Sequence, residues 1–427
     1  MTVRIKLAIF VGTCIALLAL TQTAFPQSAT AKKIDDLLQP ISRDGRFSGI
    51  VIASQNGSII YEKAFGLANA ELKVPNTVGS RIGIASITKP MTAIILIRLI
   101  EDHKLTLEDK LSKFIPDFPN GDKITVAMLS QHRSGIPHRV MADTEESRVY
   151  TSAEMIEKVK AAKLAFEPGS REMYSSGGYA VLARVLEIAS GQSFSQLLQK
   201  YVFDPGQLTD TIDWSGPTII ERRTQEYVCD SSGYTNAAAK DYSFLVGAGS
   251  VISTASDLFK FGNALIDGKY GAGAKASFVR NGIVRNSGNT NGHRAYFEIK
   301  EDKSYGFVIL SNMACGSFDF VQTGLSEILQ GKEATAKTLT VPKFDPAANK
   351  DLTEFTGHYK ERGGSETDIR VKDGYLFASD IKLYPVKPDC FFDFKYFGNA
   401  CFTRDASGKV ATVRWSGLTF ELIWTRQ

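Results

Sequence analysis

The chain has 427 residues, with 50 Lys and Arg against 46 Asp and Glu for a formal charge of +4, and it is 43% hydrophobic and 22% charged. That composition describes a globular protein with more sequence than one core usually serves, so at least two domains are expected. The near balance of charge argues against a nucleic-acid partner, and five histidines without ligand spacing argue against a zinc site.

Residues 1–31 place Arg4 and Lys6 ahead of an apolar run that ends among small residues such as Ala24, Ala29 and Ala31. This is the layout of a secretory signal peptide, with cleavage expected between Ala24 and Ala31 and an exported, periplasmic or secreted product. The apolar run is shorter than the ~20 residues that span a bilayer, so membrane contact is expected only through an uncleaved leader. A short helix is predicted over Lys33 to Leu38. FSGIVIAS and SIIYEKAFG flank Asn56-Gly57, a two-residue hairpin signal. A helix follows at Ser86, then a helical, loop-rich stretch from about Leu105 to Gly249. Within it a periodic helix over Val181 to Ser190 stops at Gly191. Another helix runs from Ser256 to Asp267, and strands return at IVRNSG, RAYFEI and YGFVILSN. Strands at both ends with helices inserted between them predict an α/β fold, a sheet flanked by helices with a helical lobe, over residues 32–330. Residues 331–350 are polar with two prolines and read as a linker. Residues 351–427 are rich in Phe, Tyr and Trp between Asp373-Gly374, Ser407-Gly408 and Ser416-Gly417 turns, which predicts a small antiparallel β barrel or sandwich with an aromatic core. With Cys14 in the leader, four cysteines remain; Cys390 and Cys401 could staple neighbouring strands, or the four are buried free thiols.

The chemistry concentrates at Ser86-x-x-Lys89 in IASITKPMTAIILIRLIEDHKL. Residues three apart share a helix face, so the Lys89 amine can reach the Ser86 hydroxyl. Pro90 is tolerated only near a helix start, which places Ser86 at the positive end of the dipole among unpartnered N–H groups. The apolar run from Met91 to Ile100 marks a buried helix, and a desolvated Lys at its mouth loses its preference for the charged form and can serve as a base. A bare Ser-x-x-Lys arises about once by chance in a chain of this length, so its context carries the argument. Tyr174, in FEPGSREMYSSGGYAVLARVLEIASGQS, sits on a Pro/Gly-rich loop where a phenol can relay a proton; the alternative is a tyrosine that anchors the loop.

These segments, with KLSKFIPDFPNGDKITVAMLSQHRSGIP, STASDL, SGNTNGHRAYF and YGFVILSN, together resemble the serine β-lactamase and penicillin-binding-protein superfamily. The branch they resemble is that of the class C β-lactamases, D-alanyl-D-alanine carboxypeptidases, D-aminopeptidases and carboxylesterases. The resemblance implies a β-lactamase-like fold followed by a lipocalin-like β domain. It implies Ser86 as acylated nucleophile, Lys89 as its base and Tyr174 as second proton carrier. The third motif of that family falls on Asn286, Ser287 and Gly288, and its oxyanion hole on the N–H groups of Ser86 and Asn289. Ser176 stands where the second motif usually has Asn, and Asn286 where the third usually begins with Lys, His or Trp. A serine still donates and accepts a hydrogen bond. Loss of a cation at Asn286 removes the partner of a substrate carboxylate, and Arg294 or His293 are expected to supply it if anything does. The expectation is an exported serine hydrolase of esters or small amides such as D-amino-acid peptides, without metal or cofactor. A β-lactamase or D-alanyl-D-alanine carboxypeptidase is one alternative, and a non-catalytic penicillin-binding-like module another.

Overall fold

The computed structural model describes residues 28–214, 218–231, 233–333, 339–361, 364–417 and 420–427. The leader expected over residues 1–31 lies outside these up to residue 27. The first helix, α1 (Ala29–Arg43), begins earlier than the predicted Lys33, because the Ser28 side chain caps it by accepting the Ala31 N–H at 3.1 Å. Ala31 is already a core residue. Cleavage just after it would remove both cap and contact.

Strands β1 (Gly49–Gln55) and β2 (Ser58–Phe65) form the expected hairpin, with Asn56 and Gly57 both at positive φ. The buried helix that follows Ser86 is α2 (Thr88–Glu101); α3 (Ser176–Ser190) stops at the left-handed Gly191, and α4 is Ala255–Ile266. Strands β3 (Ile283–Asn289), β4 (Arg294–Lys300) and β5 (Tyr305–Ser311) return to the first hairpin, giving a five-stranded sheet of order β3-β4-β5-β1-β2, antiparallel at every pairing. Helix α5 (Ser317–Leu329) closes the domain.

Both faces of this sheet are covered, which explains why β1 and β5 read as nearly continuous apolar runs. Val51, Phe307 and Ile309 pack with Ile34, Leu38, Val321 and Leu325 of α1 and α5. Ile50, Ile52, Val308 and Leu310 turn to the other side, against Met91, Ile94, Leu182 and Phe261 of α2, α3 and α4. The functional consequence is simple: β3 is an edge strand, and its free edge lies beside the start of α2.

Residues 357–426 form a closed antiparallel barrel of eight strands, the barrel form of the predicted β domain, filled by Phe355, Tyr359, Phe391, Phe402 and Trp415. Closure leaves no unpaired strand edge. The barrel docks through a second aromatic cluster, in which Tyr384, Phe392, Phe394 and Phe397 meet Tyr227 and Met313 of the first domain. Arg46 lies over the Phe394 ring at 4.6 Å, and the Gly316 N–H donates to the Phe394 carbonyl at 2.9 Å. Between the domains, Leu339, Val341 and Phe344 are packed against these clusters.

The four cysteines form two disulfides. Cys390–Cys401 joins paired barrel strands, as the spacing allowed, and Cys229–Cys315 joins segments 86 residues apart beneath the barrel. A bridge limits the unfolded chain more strongly the longer the loop it closes. Replacing Cys229 and Cys315 together by Ser is therefore expected to cost about 2–5 kcal/mol and to lower the thermal midpoint more than the Cys390/Cys401 double replacement, whose loop spans 11 residues. Calorimetry of the two double variants checks the order; a larger drop from the barrel pair would contradict it.

Candidate active site

Ser86 lies in a 3-10 turn (Ala85–Ile87) that leads directly into α2, so the hydroxyl stands at the helix start as Pro90 required. Ala85 holds φ at 49°, a left-handed conformation that costs free energy in a residue with a Cβ and aims the turn. The edge strand is pressed against this turn. A Cβ on Gly288 would sit 2.0 Å from the Ile84 carbonyl oxygen, so only glycine fits there.

Lys89 is 5% exposed and its Nζ has three neighbours: Ser86 Oγ at 3.2 Å, Ser176 Oγ at 3.3 Å and the Ala248 carbonyl at 2.9 Å. Among the described residues it has no carboxylate partner. Burial without a counter-charge lowers its pKa to about 7. A neutral amine has two N–H bonds, enough for Ala248 and Ser176, and its lone pair is left for the Ser86 proton. From the other side the Tyr174 hydroxyl donates to Ser86 Oγ at 2.8 Å. Burial around that phenol raises its pKa, which keeps it in the donor form. The Lys89 amine also lies over the Tyr174 ring, 4.7 Å from its centroid.

The backbone ladder shows where the edge strand points its donors. Thr290 N–H bonds to the His293 carbonyl and Glu301 N–H to the Gly282 carbonyl, so by antiparallel alternation Asn289 opposite Arg294 is a non-hydrogen-bonded pair. Its N–H is directed at the free edge, toward the Ser86 turn. Asn286, opposite Phe297, shares the α2 face of the sheet with Gly288, and its side-chain oxygen accepts the Ser287 N–H at 2.9 Å. Ser287 and Asn289 turn their side chains to the other face. They serve the site through the backbone.

Arg294 corrects the expectation placed on it. Opposite Asn289 and two residues from Tyr296, it belongs to the face covered by α1 and α5; there it pairs with Asp319 at 2.5 Å and lies over Phe318. His293 is fully buried behind the site, 3.8 Å from Glu226. Burial lowers its pKa. Neither supplies a cation to the cleft.

The cleft itself is a cavity of about 650 Å³. Its lining carries features not found from the sequence. Glu146, 3% exposed, holds both Arg139 and Lys240. His132 and His138, both in the short segment QHRSGIPH, stand behind Tyr174; their spacing fits no metal site and gives no sign of this placement.

The Beta-lactamase family model matches residues 34–320. A penicillin-binding protein of Bacillus subtilis (strain 168) is 29% identical over 276 residues, 61% of this chain and 61% of that one. The teichoic acid D-alanine hydrolase of Staphylococcus aureus is 27% identical over 229 residues, 54% of this chain and 56% of the relative. The chain thus spans about three-fifths of the length of such curated relatives. Among solved structures, the octameric penicillin-binding protein homologue from Pyrococcus abyssi superposes with a TM-score of 0.62 at 20% identity, covering 92% of this chain and 99% of that one. At that identity the likeness speaks to fold.

The amine dictates a pH dependence. Below its pKa it is protonated and cannot accept the Ser86 proton, so acylation of Ser86 by a fluorophosphonate is expected to fall about tenfold per pH unit below the midpoint near about 7. Lys89→Ala should lose that titration along with about 10² or more in rate. Rapid-quench labelling across pH 5–9, a range set by the ordinary span of such titrations, reads both.

Proposed function

This chain belongs to the beta-lactamase family, and from that premise and the contacts of Ser86 we propose an exported serine hydrolase that acts through an acyl-enzyme on uncharged esters or small amides. The observation that carries this reading is the convergence of a carboxylate-free Lys89 amine and the Tyr174 hydroxyl on one oxygen, Ser86 Oγ, at 3.2 and 2.8 Å. Lys89 takes the Ser86 proton as Oγ attacks the carbonyl carbon. The oxyanion meets the N–H groups of Ser86 and Asn289, donors whose interaction grows only as charge appears. Tyr174 gives its own hydroxyl proton to the leaving oxygen or nitrogen and regains one from the Lys89 ammonium, and water then repeats the sequence to release the acid. Ser176 takes the place of an amide by holding the Lys89 amine. The intact contacts around Ser86 favour this reading over a non-catalytic module.

Preference for uncharged substrates rests on the β3 wall. Asn286 is neutral and engaged with its neighbour's N–H, and Arg294 is bound on the opposite face. On that wall a β-lactam or D-alanyl peptide carboxylate would meet no cation among the described residues, and Arg139 and Lys240 elsewhere in the cleft are both held by Glu146. By its name the Staphylococcus aureus relative acts on D-alanine carried by teichoic acid. A D-alanyl substrate without a free carboxylate is accordingly within scope. Export is supported by the composition of the leader and by two disulfides, which persist in oxidising compartments.

Intact-mass analysis should show one fluorophosphonate adduct that is absent in Ser86→Ala. Tyr174→Phe should lower kcat by about 10². By kcat/KM, a short p-nitrophenyl ester should exceed an anionic β-lactam in the wild type. Asn286→Lys should move the balance toward the β-lactam by about 1.5–3 kcal/mol, whereas Arg294→Ala should leave it unchanged. Faster β-lactam turnover by the wild type would overturn the substrate assignment.

A further inference from the structure

The segment that carries Tyr174 and Ser176 is held by two histidines. The His132 carbonyl accepts the Met173 N–H at 2.9 Å, and its ring Nδ1 accepts the Ser175 N–H at 3.2 Å, so one residue grips the chain on both sides of Tyr174. His138 Nδ1 accepts the next donor, the Ser176 N–H, also at 3.2 Å. These are the first N–H groups of α3, which have no acceptor within the helix. Both rings flank the phenol, with centroids 4.7 and 5.3 Å from that of Tyr174. His132 reaches its place with φ at 60°, a conformation sustained only by its surroundings.

A backbone N–H can only donate. Each Nδ1 must therefore keep its lone pair, and each ring, when neutral, carries its proton on Nε2. Protonation would set an Nδ1–H against a backbone N–H and abolish the contact. We propose that His132 and His138 are positioning residues that act as neutral acceptors, set Tyr174 and Ser176 against Ser86 and Lys89, and give the enzyme an acid cutoff separate from the titration of its base. The proposal rests on the reading of Tyr174 as proton carrier. The titratable groups around the pair are Lys89 on α2, Glu172 and Tyr174 on the loop, Tyr179 on α3 and Arg139 beside His138. Burial, and after it the Lys89 charge, lowers both imidazole pKa values below the usual 6.5. The second limb therefore falls on the acid side of the first.

Asparagine separates the roles, because its Oδ1 is placed like Nδ1, accepts but does not titrate, and tolerates the left-handed backbone of residue 132. In the full chain with 15N-histidine, long-range 1H–15N spectra above pH 7 should show both rings as Nε2–H tautomers, assigned by His132→Asn and His138→Asn. In wild type the logarithm of the Ser86 labelling rate should fall with a slope of about 1 below the Lys89 midpoint and steepen toward about 3 in more acid solution. The double Asn variant should keep the slope near about 1 throughout. His132→Ala and His138→Ala should lose about tenfold or more in kcat with KM little changed, while the single Asn variants stay close to wild type. An Nδ1–H tautomer or a charged ring above pH 7 overturns the proposal, as does a double Asn variant with the wild-type acid slope. If Ser86 is never labelled the hydrolase reading fails, and the tautomers still decide whether the clamp exists.

Discussion

The site depends on one unfavourable circumstance, an ammonium-forming group placed where it cannot be solvated or paired. Lys89 sits at the mouth of a helix that is apolar nearly all round, with two hydroxyls and one carbonyl about its nitrogen and, among the described residues, no carboxylate. A paired Lys in the same place would stay charged and inert as a base. Desolvation brings its pKa to about 7, within reach of neutral solution, and this converts a surface-type residue into a proton acceptor.

That requirement explains the architecture. A sheet covered on both faces provides a stiff floor, and α2 is packed into the larger of the two cores. The open edge of β3 then provides the polar component, since an edge strand is where backbone donors remain unclaimed by a neighbour. Gly288 allows the strand to approach the Ser86 turn, and the antiparallel alternation turns the Asn289 N–H toward it. The tertiary fold thus brings together three elements distant in sequence: the start of α2, the start of α3 and the end of β3.

The barrel contributes differently. Its aromatic docking cluster includes Tyr227 and the disulfide to Cys315 includes Cys229, both on the strand Tyr227–Asp230, which directly follows Glu226 behind the cleft.

Local features of the sequence determined a good deal. Asn56-Gly57, Pro90 and Gly191 each impose a backbone conformation through their own stereochemistry, so the hairpin, the start of α2 and the end of α3 were legible without tertiary information. The aromatic richness of the last 77 residues, broken by Asp-Gly and Ser-Gly turns, likewise announced a β domain, though not whether it closed. Ser86, Lys89 and Tyr174 could be singled out because helix spacing and a Pro/Gly loop are local properties. What only the tertiary structure decided was orientation. Arg294 is expected within reach of the third motif from the facing strand, but a strand alternates faces with each residue, and the register of the β3–β4 hairpin assigns it to Asp319. His132 and His138 accept backbone N–H groups more than thirty residues away, an acceptor role that leaves no pattern in sequence spacing. Likewise, the near-neutral pKa of Lys89 was foreseeable in direction, but its cause, burial with no carboxylate at hand, is a property of the packed cleft and of no segment alone.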